Sequence, residues 1–395
     1  QLQRAPVLLQ QMWKRGRRWG YRFGCEYAEP FIAVTADQLE ANSRMQVDDT
    51  AWEDSAVFER RWGVPCPDIA RFVTPDSSAA EAPAAGTPAD TAATAPPAWP
   101  DEAADITYRS AADGTAQPMR FVAPPGGRPA PLLVYLHPWS CDYQRPDAAA
   151  HARWCLAQGW AACFPNFRGP NRAPEACGSE RVVQDILDAV AYARTHAAVD
   201  PARIHLLGVS GGGYAALLMA GRAPDLWAGV SAWVPIYDLA DWHDYCRQRG
   251  AKYTRELEAV CGGAPGSSAA ADAEYRLRSA SAWLPRAAAA AIDISAGIHD
   301  EVIPVRHALR AFQALARPED RLADADLERL DRDGTVPASL GPAPDDPAYG
   351  AKRVLFRRVS GRVRITLFEG GHEILACPAL EFLSRQRRGD PPAWT

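Results

Sequence analysis

The sequence has no apolar run approaching the roughly 18 residues a helix needs to span a bilayer. Its net charge of −5 provides no basic surface for nucleic acid or an anionic membrane. Its nine cysteines cannot all pair within one chain, and none stands at metal-ligand spacing. Cys163 and Cys377 lie in apolar surroundings and read as small core residues, whereas Cys246 and Cys261 share one segment and form a candidate disulfide. No metal or organic cofactor is expected. A signal peptide is not legible either, because Val7-Leu8-Leu9 is short and the charges of Lys14-Arg15-Gly16-Arg17-Arg18 come after it rather than before it. The chain opens at Gln1, which a removed leader or a cloning boundary would explain; a secreted or periplasmic location is favoured over a cytoplasmic one. The tract from Pro75 to Pro100 contains no Leu, Ile, Val or Met, so residues 75–104 cannot supply a core and read as an extended linker.

With 47% hydrophobic residues, the chain can bury one large core and carry a smaller appendage. Residues 1–74 are aromatic and charged, including Trp13, Trp19, Tyr21, Phe23, Trp52, Phe58 and Trp62. Thr35 to Glu40 reads as a capped helix start, and the whole extension is expected to pack on the larger C-terminal unit. From about residue 105, alternating segments at Ile106–Ser110 and Pro118–Ala123 flank Asp113-Gly114, a hairpin signal. Buried strands are predicted at 132–136, 161–165, 204–209, 229–234, 292–296 and 363–368. Helical segments separate them, the clearest being 180–195, with Val182, Val183, Ile186, Ala189, Val190 and Ala193 on one face. This alternation predicts an α/β fold: a mostly parallel central sheet with helices on both faces, plus the N-terminal extension. Two stretches break the rhythm, near 238–286 and 317–349, and read as insertions of the 105–395 unit; the second is expected to be irregular from its Pro, Asp and Gly content.

The chemistry concentrates at the ends of these strands. Gly208-Val209-Ser210-Gly211-Gly212 succeeds an apolar strand and precedes a helical segment, the pattern of a nucleophile elbow that lifts a serine hydroxyl clear of a sheet. Downstream, Asp300 comes after the strand Ile292–Ala296 and its Gly297, where it could instead be an ordinary loop or capping aspartate; Glu301 and Asp238 are rival carboxylates. His372 comes after the strand Val363–Phe368 in Glu369-Gly370-Gly371-His372. Serine, acid and histidine in this order allow proton transfer from Ser210 to His372, with Asp300 orienting the imidazole. An oxyanion site should lie just beyond the strand that ends in Leu136-His137-Pro138-Trp139-Ser140. Pro138 has no N–H to donate. That leaves Gly211 with Trp139 or Ser140 as the donors.

From about Pro131 to Leu383 the chain resembles the catalytic domain of the prolyl oligopeptidase family and its esterase relatives among the α/β-hydrolases. The matching pieces are Phe164-Pro165-Asn166-Phe167-Arg168-Gly169, Val199-Asp200-Pro201-Ala202-Arg203-Ile204, Pro235-Ile236-Tyr237-Asp238, the acid loop from Gly297 to Pro304, and Glu369-Gly370-Gly371-His372. The resemblance implies a serine hydrolase working through an acyl-enzyme. In place of the usual His-Gly-Gly-Pro stands His137-Pro138-Trp139-Ser140, so the oxyanion loop must take another path. Peptidases of the family also carry a large β-propeller ahead of this domain, whereas here about 100 residues precede it, short of blades at roughly 40 residues each.

On that ground a carboxylic ester is the expected substrate, small or polymer-linked, sugar-linked or aromatic, with peptide cleavage as the alternative and a non-catalytic binding protein as a third reading. Trp139, Tyr143, Tyr237 and Trp242 are the candidate substrate contacts, while Trp233 reads as core. Arg168 reads either as a carboxylate anchor or as half of a structural ion pair. Oligomeric state is not legible.

Overall fold

The computed structural model describes residues 98–287 and 289–394. The expected helix start at Thr35, the N-terminal extension and most of the linker lie outside the described residues.

The described chain forms one nine-stranded sheet. β1 (Ala104–Arg109) and β2 (Ala116–Val122) are the expected hairpin. They precede β3 (Ala130–Leu136), β4 (Ala161–Pro165), β5 (Val199–Val209), β6 (Gly229–Trp233), β7 (Ala291–Gly297), β8 (Val354–Ser360) and β9 (Val363–Phe368). The order across the sheet is β1-β2-β4-β3-β5-β6-β7-β9-β8, parallel from β4 through β9 and antiparallel at both ends. Every residue of β3, β4, β6, β7 and β9 is buried, which is what a parallel sheet covered on both faces demands of its strands.

Helices flank the sheet: α1 (Ala148–Ala157), α2 (Glu180–His196) and α3 (Gly211–Arg222) in the first half, and α7 (Arg306–Leu315) and α9 (Ala376–Ser384) in the second. The α2 helix shows why the local sequence folds as it does. Ser179 accepts a hydrogen bond from Val182 N–H at its start, Glu180 sits in the positive first turn, and Arg194 and His196 sit in the negative last turn. Its predicted apolar stripe is buried.

Register decides where function can gather. Val209 pairs with Trp233, Trp233 with Ser295, and Gly297 with Phe368, so β5, β6, β7 and β9 end together along one edge. The segments after Val209, Gly297 and Phe368 therefore emerge side by side.

The two interruptions differ from each other. Between β6 and β7 lie three helices, α4 (Leu239–Gln248), α5 (Tyr253–Cys261) and α6 (Ala269–Arg278). The later stretch, expected to be irregular, contains α8 (Asp324–Asp333) between single 3-10 turns, because Gly334 provides a left-handed cap that ends a helix cleanly. The candidate Cys246–Cys261 disulfide is absent: all seven described cysteines are free thiols, those two buried. Among the described residues no helix is long and apolar enough to cross a membrane.

Candidate active site

Ser210 occupies the turn between β5 and α3 with φ 59° and ψ −121°, a conformation L-residues avoid, and its N–H is held by Trp233 O at 2.9 Å. The strain sits on the serine, and the neighbouring glycines solve a different problem. A Cβ on Gly212 would lie 1.9 Å from Leu136 O, and one on Gly211 would lie 2.5 Å from Trp139 N. Only bare backbone lets the start of α3 press against the loop after β3.

His372 Nε2 stands 2.9 Å from Ser210 Oγ, and His372 Nδ1 stands 2.8 Å from Asp300 Oδ2. The other oxygen of Asp300 accepts Val302 N–H at 2.8 Å and Ile303 N–H at 2.9 Å. A carboxylate pinned by two backbone N–H groups offers its remaining oxygen to the imidazole, so that Nδ1–H points to the acid and Nε2 is free to accept from serine. The rival carboxylates are placed elsewhere. Asp238 caps α4 through Ala240 and Asp241 N–H and accepts Ser281 Oγ–H, and Glu301 is exposed.

The acid and histidine loops are tied by backbone: Ile298 N–H to Phe368 O and His299 N–H to Gly370 O. Glu373, which sequence reasoning does not single out, anchors the histidine loop by accepting Gly371 N–H at 2.9 Å while Lys352 approaches at 3.3 Å. Its one signal is adjacency to His372, but a lone glutamate there looks like any other surface acid.

Next to Ser210, the loop after β3 brings Trp139 N against Gly211. Neither N–H is given to a protein acceptor among the described residues, leaving both available to an oxyanion. The loop is fixed by His137, whose ring stacks on Phe167 at 4.0 Å and whose nitrogens meet Pro138 O and Asn166 O. Ser140, the other expected donor, lies one residue on with its hydroxyl bonded to Lys252 Nζ.

The expected aromatic platform is corrected for two of its members. Trp139 and Trp242 are 2% and 1% exposed, because α4 and α5 cover Trp139, while α5 and the acid loop cover Trp242. Their rings pack on each other at 4.9 Å, with Tyr253 and Tyr214 alongside, so they offer no face to a substrate. Tyr143 and Tyr237 are half-buried, and no hydrogen bond or ring contact among the described residues joins either to Ser210 or His372. Trp233 is fully buried. Arg168 is a structural ion pair: it bonds buried Asp185, Asp113 and Ser110, which holds the Asp113 carboxyl well below the usual carboxylate range. Among the described residues no group of three or more His, Cys, Asp or Glu could hold a metal ion.

Residues 150–327 match the prolyl oligopeptidase family of peptidases (S9). No curated protein matches the sequence. Solved structures with a similar fold include the acylaminoacyl peptidase of Pyrococcus horikoshii, 16% identical over 54% of this chain and 35% of that one, TM-score 0.44. Prolyl oligopeptidase B of Galerina marginata is 17% identical over 54% and 30%, TM-score 0.45. A puromycin hydrolase is 19% identical over 54% and 33%, TM-score 0.44. The chain spans about a third of the length of these proteins. Over residues 150–327 it is similar to the prolyl oligopeptidase family, and its mostly parallel sheet carries Ser210, His372 and Asp300 in a serine-hydrolase arrangement. The family match favours the peptidase alternative over the expected ester hydrolase. The ester expectation rested on how little chain precedes the domain, but bond preference resides in the groups around the scissile carbonyl.

Proposed function

We propose that this chain is a serine peptidase that cleaves peptide or related amide bonds through an acyl-enzyme, with Ser210 as nucleophile, His372 as base and then acid, and Asp300 as the orienting carboxylate. The acyl-enzyme chemistry is carried by the unbroken chain from Ser210 Oγ through His372 to Asp300, at 2.9 and 2.8 Å, on a serine of strained backbone, and the match of residues 150–327 to a peptidase family supports the amide bond as its target. Ser210 Oγ attacks the carbonyl carbon as its proton passes to His372 Nε2. The oxyanion forms between the N–H groups of Gly211 and Trp139. An amine leaves poorly unless protonated, so the imidazolium gives its proton to the leaving nitrogen as the C–N bond breaks. Water then repeats the sequence on the acyl-enzyme and releases the acid.

A fluorophosphonate probe should label the wild type and leave Ser210→Ala unlabelled. Peptide anilides should be turned over, and Asp300→Asn should lower that turnover by about four orders of magnitude. Turnover of aryl esters with no anilide cleavage would restore the ester reading. Failure of the folded wild type to label would point to a binding protein that keeps only the fold.

A further inference from the structure

The insertion between β6 and β7 bonds both the acid loop and the oxyanion loop. On one side, α4 donates to the acid loop: Trp242 Nε1–H to Val302 O at 3.1 Å and Tyr245 Oη–H to Glu301 O at 2.8 Å. On the other, Glu256 of α5 accepts the indole N–H of Trp139 on Oε2 at 2.7 Å, while its Oε1 lies 3.5 Å from Lys252 Nζ. Lys252 in turn bonds Ser140 Oγ at 2.9 Å. Two adjacent residues of the oxyanion loop are thus held by the N-cap and first turn of one helix, across more than a hundred positions of sequence.

We propose that Glu256 is a positioning residue for the oxyanion donor at Trp139 N–H, an inference that rests on the acyl-enzyme reading above. An indole has one polar atom, and here that atom meets a largely buried carboxylate, a shorter and stronger pairing than a neutral one. The ring is already packed against Trp242, Tyr253 and Tyr214. A side chain with only two torsions, packed against three rings and held at its tip, fixes its own Cα and hence its peptide N–H. That N–H lies against Gly211, where a displacement of well under an ångström alters donation to a developing oxyanion. Glu256 touches neither substrate nor Ser210; it acts through Trp139.

The test compares Glu256→Ala, Glu256→Gln and Trp139→Phe with wild type, with thermal melts to establish that each is folded. Glu256→Ala should lower kcat on a peptide anilide and the rate of fluorophosphonate labelling by about 10- to 100-fold, with KM changed by less than about threefold. Glu256→Gln keeps an oxygen that accepts the indole N–H and should recover most of the rate. Trp139→Phe loses the N–H together with part of the packed ring, so it should be at least as slow as Glu256→Ala, and the double variant should be no slower than Trp139→Phe alone. A peptide boronic acid, whose tetrahedral adduct carries the same oxygen, should lose affinity in step with kcat/KM. Full labelling rate in folded Glu256→Ala, additive losses in the double variant, or a loss confined to KM would each overturn the proposal. Labelling does not depend on whether the natural bond is ester or amide. A wild type that fails to label defeats the acyl-enzyme reading, whereas a labelled wild type with an unaffected Glu256→Ala defeats only this one.

Discussion

The two insertions in this domain interrupt the same sheet and have opposite characters. The first, α4 to α6, is buried and aromatic: Trp242, Tyr253, Leu257 and Tyr275 join the core, and its polar groups bond the loops that carry Asp300 and Trp139. The second, around α8, is largely exposed and polar, with Leu330 as its one buried helical residue. It attaches through Gln313, which exchanges hydrogen bonds with Leu322, and through Asp331, which receives Arg306 N–H and approaches its guanidinium. Arg306 is the shared strut, since its Nε also bonds Asp241 of α4. Length of insertion therefore says little about function, and what separates the two is which carbonyls and carboxylates they meet.

The widest separation should come from Trp242→Ala. It empties a fully enclosed site and removes the bond to Val302 O, so it should cost about 3–5 kcal/mol in urea unfolding. It should also slow fluorophosphonate labelling at least about tenfold at temperatures where the variant is folded. Leu330→Ala is the matched control: a loss of about 2–4 kcal/mol, with a labelling rate within about twofold of wild type. Equal rates in the two variants would erase the contrast.

A smaller effect comes from His307 at the start of α7, which accepts Tyr237 N–H just before α4 and lies 3.2 Å from Asp241. Burial pushes its pKa down to about 3. Because the folded value lies below the unfolded one, the unfolded chain binds the extra proton between about pH 6.5 and 3. Stability is then full above pH 6.5 and falls as the pH drops, by up to about 1.4 kcal/mol per pH unit for this group. His307→Asn retains an acceptor for Tyr237 without a titrating ring, and should show a shallower acid slope between about pH 6 and 4.5. His151 and His205, also buried and held down to about 4 and about 3, and His137, lowered by burial as well, add to the slope in both proteins. An unchanged slope would remove His307 from the account.

Periodicity and turn chemistry make the centre of this fold legible. Strands β4 and β9 fall at their predicted residues, and the order of Ser210, Asp300 and His372 reflects where parallel strands must end. The edge is harder. β8 escapes prediction because Arg357 and Arg358 interrupt its apolar residues and it pairs on one side only, so no buried run announces it. Trp139 and Trp242 are misplaced for a different reason. Apolarity tells that a ring is buried by something, and in a loop the cover can be a substrate or a helix from elsewhere in the chain. Here the cover is α4 and α5 for Trp139, and α5 with the acid loop for Trp242. Glu256 is invisible on the same grounds, since nothing local in Tyr253–Cys261 marks a carboxylate aimed at a distant indole.

The backbone of Ser210 has a consequence for how this protein can change over time. At φ 59° and ψ −121° the position suits glycine better than any residue with a side chain. A Ser210→Gly replacement would relieve the turn and stabilise the fold while removing the nucleophile. Random drift toward greater robustness therefore runs directly against chemistry at this one residue. Serine persists there only while something selects for what its hydroxyl does, so its retention at a position that favours glycine is itself a record of use.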